Sequence, residues 1–168
     1  MMRLLLPMIL ASAFASPALA QHHAPYAGHQ HRQVKALSDQ QVADLRAGRG
    51  MSLALAGELN GYPGPSHVLE LSDQLSLSPE QRAQVEDLFR DMKREATVLG
   101  ETLIAREASL DGAFSSRQIS DTLLTALTSQ IGSTQGELRA VHLKYHLRTA
   151  ELLSAEQRET YAKLRGYR

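Results

Sequence analysis

Two long stretches of this chain repeat apolar side chains in alternating steps of four and three residues, a pattern that leaves few folds open. The first runs Val85, Phe89, Met92, Ala96, Leu99, Leu103, Leu110 and Phe114, with a single gap at Arg106. The second runs Leu124, Leu127, Ile131, Thr134, Leu138, Val141, Tyr145 and Leu152, with Arg148 in the remaining slot. Such spacing lines one face of an α-helix and resembles a heptad seam. Each run covers about 33 residues, or roughly 50 Å as a continuous helix. Asp111-Gly112 begins the end of the first run, so the two form an antiparallel hairpin. The expected fold is all-α: a long antiparallel helical hairpin with short flanking helices. Two helices cannot cover both sides of their own seam, so the flanking helices must pack on it, and a homodimer is expected. No segment has strand period. Gly100, Gly112, Gly132 and Gly136 are the only glycines between 78 and 165, and none sits in a phosphate-binding pattern.

Helix starts are marked by capping residues. Ser38 with Gln41 opens a short helix to Ala47, and Ser66 opens another to about Leu75. Ser78-Pro79-Glu80-Gln81 combines a serine cap, proline at the first helical position and glutamine at the third. Ser120 caps the second long run, and Ser154-Ala155-Glu156-Gln157 opens a final helix carrying Tyr161 and Leu164. Residues 48–65 are rich in glycine and proline. Their apolar Met51, Leu53 and Leu55 are expected to lie over a hydrophobic surface rather than form a free helix.

Residues 1–20 read as a cleavable signal peptide: Arg3 in the charged region, Leu4 to Phe14 apolar, and Ala18-Leu19-Ala20 at the cleavage site. The chain is then expected in a bacterial periplasm. Residues 21–37 form a polar, histidine-rich tail expected to bury no core and to be disordered. Residues 38–65 hold the short helix and the Gly/Pro-rich segment, and 66–168 the helical domain. Without Arg3, 17 basic residues face 18 acidic ones, which favours neither nucleic acid nor an anionic membrane as partner. Cysteine is absent, so any metal site must use histidine, carboxylate, methionine or the amino terminus. Without a cysteine nucleophile, a G-x-S-x-G elbow or an evident pocket, enzymatic activity is not expected.

His142 and His146 stand one helical turn apart and project from one side of the second long helix. That spacing can present two imidazoles to a transition metal, and equally suits ordinary solvated or structural histidines. Both neighbour seam residues, Val141 and Tyr145, and are expected to flank the seam rather than fill it. Hairpin geometry brings His67, Glu86, His142 and His146 to within roughly one helical turn of each other along the bundle axis. This fixes height but not azimuth; Glu70 is a second carboxylate candidate. The ions that suit imidazole with carboxylate are Ni²⁺, Co²⁺, Zn²⁺ and Cu²⁺. In the tail, His22, His23, His29 and His31 fall within ten residues. Cleavage after Ala20 makes His23 the third residue, which can complete a square-planar nitrogen site.

Leu77-Ser78-Pro79-Glu80-Gln81 and Leu153-Ser154-Ala155-Glu156-Gln157 resemble the LTxxQ motif, with serine in place of threonine. Two such boxes bracketing a helical hairpin after a signal peptide resemble the Spy/CpxP superfamily over about residues 66–165. The superfamily includes ATP-independent chaperones, zinc-resistance-associated proteins and heavy-metal sensors of the CnrX type. The stretch from Val141 to His146 is similar to the sensor pattern, in which a histidine and a methionine four residues on are ligands; here the second position is His146. Sensors also carry H-x3-H before the first box, where this chain has His67 followed by Leu71. The resemblance therefore implies a non-enzymatic periplasmic protein of one of two kinds. One binds metal in sensing, resistance or envelope stress, with a membrane or periplasmic signalling protein as partner. The other is a chaperone that holds unfolded clients, here on Met51, Leu53 and Leu55.

Overall fold

A computed structural model of the chain describes residues 25–167. The expected signal peptide and the tail residues His22 and His23 lie outside the described residues. Among those described, every regular element is a helix. A 3-10 turn at His29–His31 precedes α1 (Asp39–Arg46), α2 (Leu55–Glu58), α3 (Pro65–Glu70), α4 (Pro79–Ser115), α5 (Asp121–Leu152) and α6 (Ala155–Leu164). α4 and α5 form the hairpin. Cross-helix bonds trace its antiparallel course: Arg106 to Thr134 near the tip, Glu95 to Tyr145 midway, Gln81 to the Leu152 carbonyl at the base. α1 and α3 pack on α4, and α2 lies against α5.

The caps at Ser38, Ser78 and Ser154 are complete boxes: the serine oxygen accepts from the third-position N–H, and that residue's glutamine oxygen accepts from the serine N–H. Ser120 accepts from the Leu123 N–H. Ser66 is not a cap. The cap is Gly64, two residues earlier, because Pro65 occupies the first helical position, and the Gly64 carbonyl accepts from Val68 N–H. α3 also ends at Glu70, before a run of turns in which Ser76 adopts a left-handed φ of 49°. α4 ends soon after Asp111-Gly112. It continues to Ser115 and stops where Arg117 turns left-handed, at φ 57°.

The hairpin core comes in two parts. The upper part joins Ala96, Leu103, Ile104, Ile131 and Leu138 to Val42 and Leu45 of α1. Val34 joins it too, which corrects the expectation that residues 21–37 bury nothing. Its valine side chain is apolar enough to dock on the open hairpin face, whatever the polarity around it. The lower part joins Val68, Leu75, Val85, Leu153 and Tyr161. Beyond Leu110 Lys35 reaches Asp111, and Phe114, the expected end of the seam, is 53% exposed. Arg106, at the gap in the first seam, donates to Thr134 Oγ1 and to the Gln130 carbonyl, so the gap is a polar cross-link.

The two Leu-Ser-x-Glu-Gln boxes meet at the base of the hairpin. Gln81 and Gln157 form a reciprocal amide pair, each Nε2 donating to the other's Oε1 at 3.1 Å. Gln81 also donates to the Leu152 carbonyl at 2.9 Å, and Gln157 to the Leu75 carbonyl at 3.3 Å. Leu153 is buried in the lower core, and Leu77 packs against it. The motif thus caps two helices and staples them together with the same glutamines. Gln157→Leu removes one cap acceptor and the amide pair, so a loss of about 2–3 kcal/mol is expected. Urea unfolding measures it, and a loss below about 0.5 kcal/mol would show that the staple carries no stability.

Candidate metal centre

Between the two core parts the hairpin interior becomes polar. Met92 of α4 faces this layer, and α5 contributes His142, Tyr145, His146 and Thr149, all buried. Tyr145 donates its hydroxyl to Glu95 Oε1 at 2.7 Å, while Lys144 Nζ holds Glu95 Oε2 at 2.5 Å. Burial first, then the bond to Glu95, pushes the Tyr145 hydroxyl up to about 12. The lysine bond, then the tyrosine bond, holds the Glu95 carboxyl below its usual range.

Residues 47–67 fold over this layer and line a partly open cavity of about 500 Å³. His67, His142 and His146 line it, as do Met51, Phe89 and Met92. Neither long-helix histidine merely flanks the seam: His142 is 2% exposed and His146 is 9% exposed. Spacing along α5 could not reveal this, because the covering atoms belong to a segment some eighty residues away in sequence. An ideal Cβ on Gly50 would stand 3.5 Å from His142 Nδ1, and one on Gly64 only 2.7 Å from His146 Nε2. Backbone at two glycines therefore rests directly on the two rings.

The carboxylate at the cavity is Glu58, at the end of α2. It is 5% exposed and joins several elements. Oε1 accepts from the hydroxyls of Tyr161 and, at 3.1 Å, Tyr167; Oε2 accepts from the Gly64 N–H at 3.1 Å. His67 Nδ1 stands 3.4 Å from Oε1 and His146 Nδ1 3.5 Å from Oε2, with Arg165 Nε 4.0 Å away. Burial, then the Glu58 bond, pushes the Tyr161 hydroxyl far up, so it remains a donor. His146 Nδ1 makes its short bond, 2.7 Å, to the Tyr62 carbonyl; as that oxygen only accepts, Nδ1 carries a proton. Metal-ligating histidines are oriented by such a bond on the opposite nitrogen.

Two ring nitrogens in this cluster are buried without a hydrogen-bond partner, His67 Nδ1 and His142 Nε2. Burial, and second the neighbouring His146, hold His142 below the usual imidazole range, so it is neutral at neutral pH and can offer a lone pair. Among the described residues no group of three or more His, Asp or Glu is already disposed to hold a metal ion.

Glu86, the carboxylate expected from hairpin height, does not line the cavity and is exposed on α4. The α4 residues at the cavity are Phe89, Met92 and Lys93, and Glu95 reaches Tyr145, so the expected height was set too far toward the hairpin base. Glu70 is also exposed and takes the Ser66 hydroxyl at 3.4 Å. A sequence signal for Glu58 does exist: it is the only Asp, Glu, Lys or Arg between Arg49 and Glu70. A lone charge in an apolar, Gly/Pro-rich stretch requires partners from elsewhere. His29 and His31 stay in their own turn, bonded to Arg32 and Gln30. Of the expected client-binding residues, Leu53 packs on the upper core and Met51 lines the cavity, while Leu55 is 47% exposed. The larger exposed apolar side chains near it are Leu59, Tyr62 and Leu147. No helix among the described residues is long and apolar enough to cross a membrane.

A family model described as LTXXQ motif family protein matches residues 65–165. No curated protein and no solved structure matches the chain.

Proposed function

The chain belongs to the LTXXQ motif family, and from that premise we propose that it is a non-enzymatic, metal-responsive protein of the periplasm, acting in metal sensing or resistance. The observation that carries this reading is the convergence of His67, His142 and His146 on one cavity, with His142 Nε2 buried and without a hydrogen-bond partner. The donors come from α3 and α5, and residues 47–55 lie over them. They are close but not yet in a coordination shell. An ion that binds there joins α3 to α5 beneath that segment, so occupancy biases how they pack. A static store would need no such coupling; a sensor does. Ni²⁺, Co²⁺, Zn²⁺ and Cu²⁺ are the ions that suit imidazole with a carboxylate beside it.

The test is equilibrium dialysis of the whole chain against these four ions, with His142→Ala and His146→Ala beside the parent. Each substitution is expected to weaken binding at least about tenfold while helicity by circular dichroism stays intact. Equal affinity in the parent and the double variant would remove the metal from this cavity. The tail histidines are separated by replacing His22, His23, His29 and His31 in a further variant.

A second reading rests on a different surface. Tyr62 and Leu147 line an open groove with Ala150, Ala155 and Ala162, and Leu55 and Leu59 are exposed nearby in the chain. Apolar surface of this kind suits an ATP-independent chaperone that shields unfolded clients. Suppression of client aggregation by a variant that has lost its metal would favour this reading. The homodimer belongs to the same proposal, since the exposed Phe114 and Leu123 leave the hairpin tip short of cover.

A further inference from the structure

We propose that the cavity is built for a soft monovalent cation, Cu⁺, held by the His142 imidazole with the thioethers of Met51 and Met92. This rests on the metal-binding reading of the cavity and adds a soft monovalent ion to the divalent ones named there. The chain has five methionines, three of them within residues 1–20. The other two, Met51 and Met92, both line this one cavity. They reach it from separate segments, the 47–54 loop and α4, while His142 comes from α5. His142 is almost fully buried, and its Nε2 has no partner from the protein. His142, Met51 and Met92 line the same cavity.

The backbone at Met51 points the same way. Met51 and Ser52 both adopt left-handed φ values, 41° and 69°, which non-glycine residues rarely do. Strained backbone persists where surrounding structure fixes it and is concentrated at functional sites. Here it lies beside Gly50, whose backbone rests on the His142 ring.

Charge selects among ions. Lys93 and Arg165 line the cavity, as does Arg49, which pairs with Asp44; Glu58 is the one acidic residue among its walls and stands 4.0 Å from Arg165. That carboxylate already accepts from Tyr161, Tyr167 and Gly64. A divalent ion meets this positive surround at twice the electrostatic cost of a monovalent one. Neutral thioethers add no charge to offset it, but they are soft donors that select Cu⁺. The sulfurs also supply what the His and Glu side chains lack, since among the described residues these do not make a three-donor group.

The experiment is anaerobic competition of the whole chain against a chromophoric Cu⁺ chelator, with Met51→Leu, Met92→Leu and the double variant beside the parent. Leucine keeps the volume, so the fold is retained, and circular dichroism checks it. The double variant is expected to lose at least about tenfold in Cu⁺ affinity, and Cu–S scattering in X-ray absorption is expected to disappear with it. Zn²⁺ affinity, measured in parallel, is expected to stay within about twofold of the parent. Equal Cu⁺ affinity in parent and double variant, or no Cu–S scattering in the parent, overturns the proposal. Zn²⁺ binding that survives this outcome leaves the metal-responsive reading standing; loss of both ions from the parent removes both.

Discussion

Glu58→Ala is expected to cost the fold about 3–5 kcal/mol, a large share of the stability of a domain this size. The carboxylate is buried and accepts from two tyrosine hydroxyls and one backbone N–H. Alanine leaves those donors with nothing to replace it. Tyr161 is 2% exposed, so water cannot reach its hydroxyl without disturbing the lower core. An unsatisfied buried donor costs about 1–3 kcal/mol, and two or three are created at once. Glu58→Gln separates geometry from charge. Its amide oxygen can still take the tyrosines, but its NH₂ would oppose the Gly64 N–H, and the charge facing His67, His146 and Arg165 is gone. A loss of about 1–2 kcal/mol is expected there. Chemical denaturation gives both values, and hydrogen exchange at Gly64 shows whether the covering segment loosens first. An alanine variant within about 0.5 kcal/mol of the parent would mean that Glu58 is not the clasp between α2, α3 and the C-terminal residues. The same substitution also bears on the site, because Glu58 pins the segment that roofs His142.

What could be read from the sequence is what is encoded locally. Four-three apolar spacing and serine–glutamine boxes act over one or two helical turns, so α4, α5 and α6 were legible with most of their caps. The long seams also show where the fold departs from pure repetition. Arg106 interrupts one seam and is found cross-linking to Thr134 on the other. The partnership of Gln81 with Gln157 was not legible, although both boxes were, because a capping glutamine looks the same whether or not its amide has a distant partner. Helix height could be calculated from the hairpin turn, and His67, His142 and His146 do line one cavity. Azimuth could not. It depends on which faces the flanking segments cover, which put Glu58 beside the cavity; Glu86 was missed in height as well, since the α4 residues at the cavity are Phe89, Met92 and Lys93. The burial of His142 comes from residues 47–67, a stretch with no periodicity, whose Gly50 and Gly64 allow backbone to lie against imidazole. Phe114 has seam spacing but is exposed, because spacing describes a face and says nothing about whether a neighbour reaches it.

Gly100→Ala is expected to destabilise the protein by about 2–3 kcal/mol, although the residue lies inside a helix, where alanine is normally the better choice. α1 crosses α4 at this point. A Cβ added to Gly100 would collide with the Leu45 carbonyl oxygen and stand 2.9 Å from its carbon and 3.2 Å from its Cα. These are backbone atoms at the end of a docked helix and cannot swing aside as a side-chain tip could. Helix propensity favours alanine by about 1 kcal/mol, whereas overpacking against rigid structure costs about 1–3 kcal/mol and more if a helix must move. The clash wins because relieving it shifts α1, which carries Val42 and Leu45 in the upper core. Gly112 in α4 and Gly132 in α5 are internal controls, since a Cβ at either meets nothing within 4 Å. Alanine at those positions is expected to stabilise by about 0.5–1 kcal/mol. Opposite signs at Gly100 and at the two controls in thermal melts would establish the α1 crossing; stabilisation at all three would refute it. The displacement has a functional reading as well. α1 leads directly into the loop that carries Gly50 and Met51 over His142, so a shift of α1 that leaves the hairpin folded should open the cavity. Metal affinity would then fall in Gly100→Ala and stay unchanged in Gly112→Ala and Gly132→Ala, which ties the roof of the site to the docking of the helix before it.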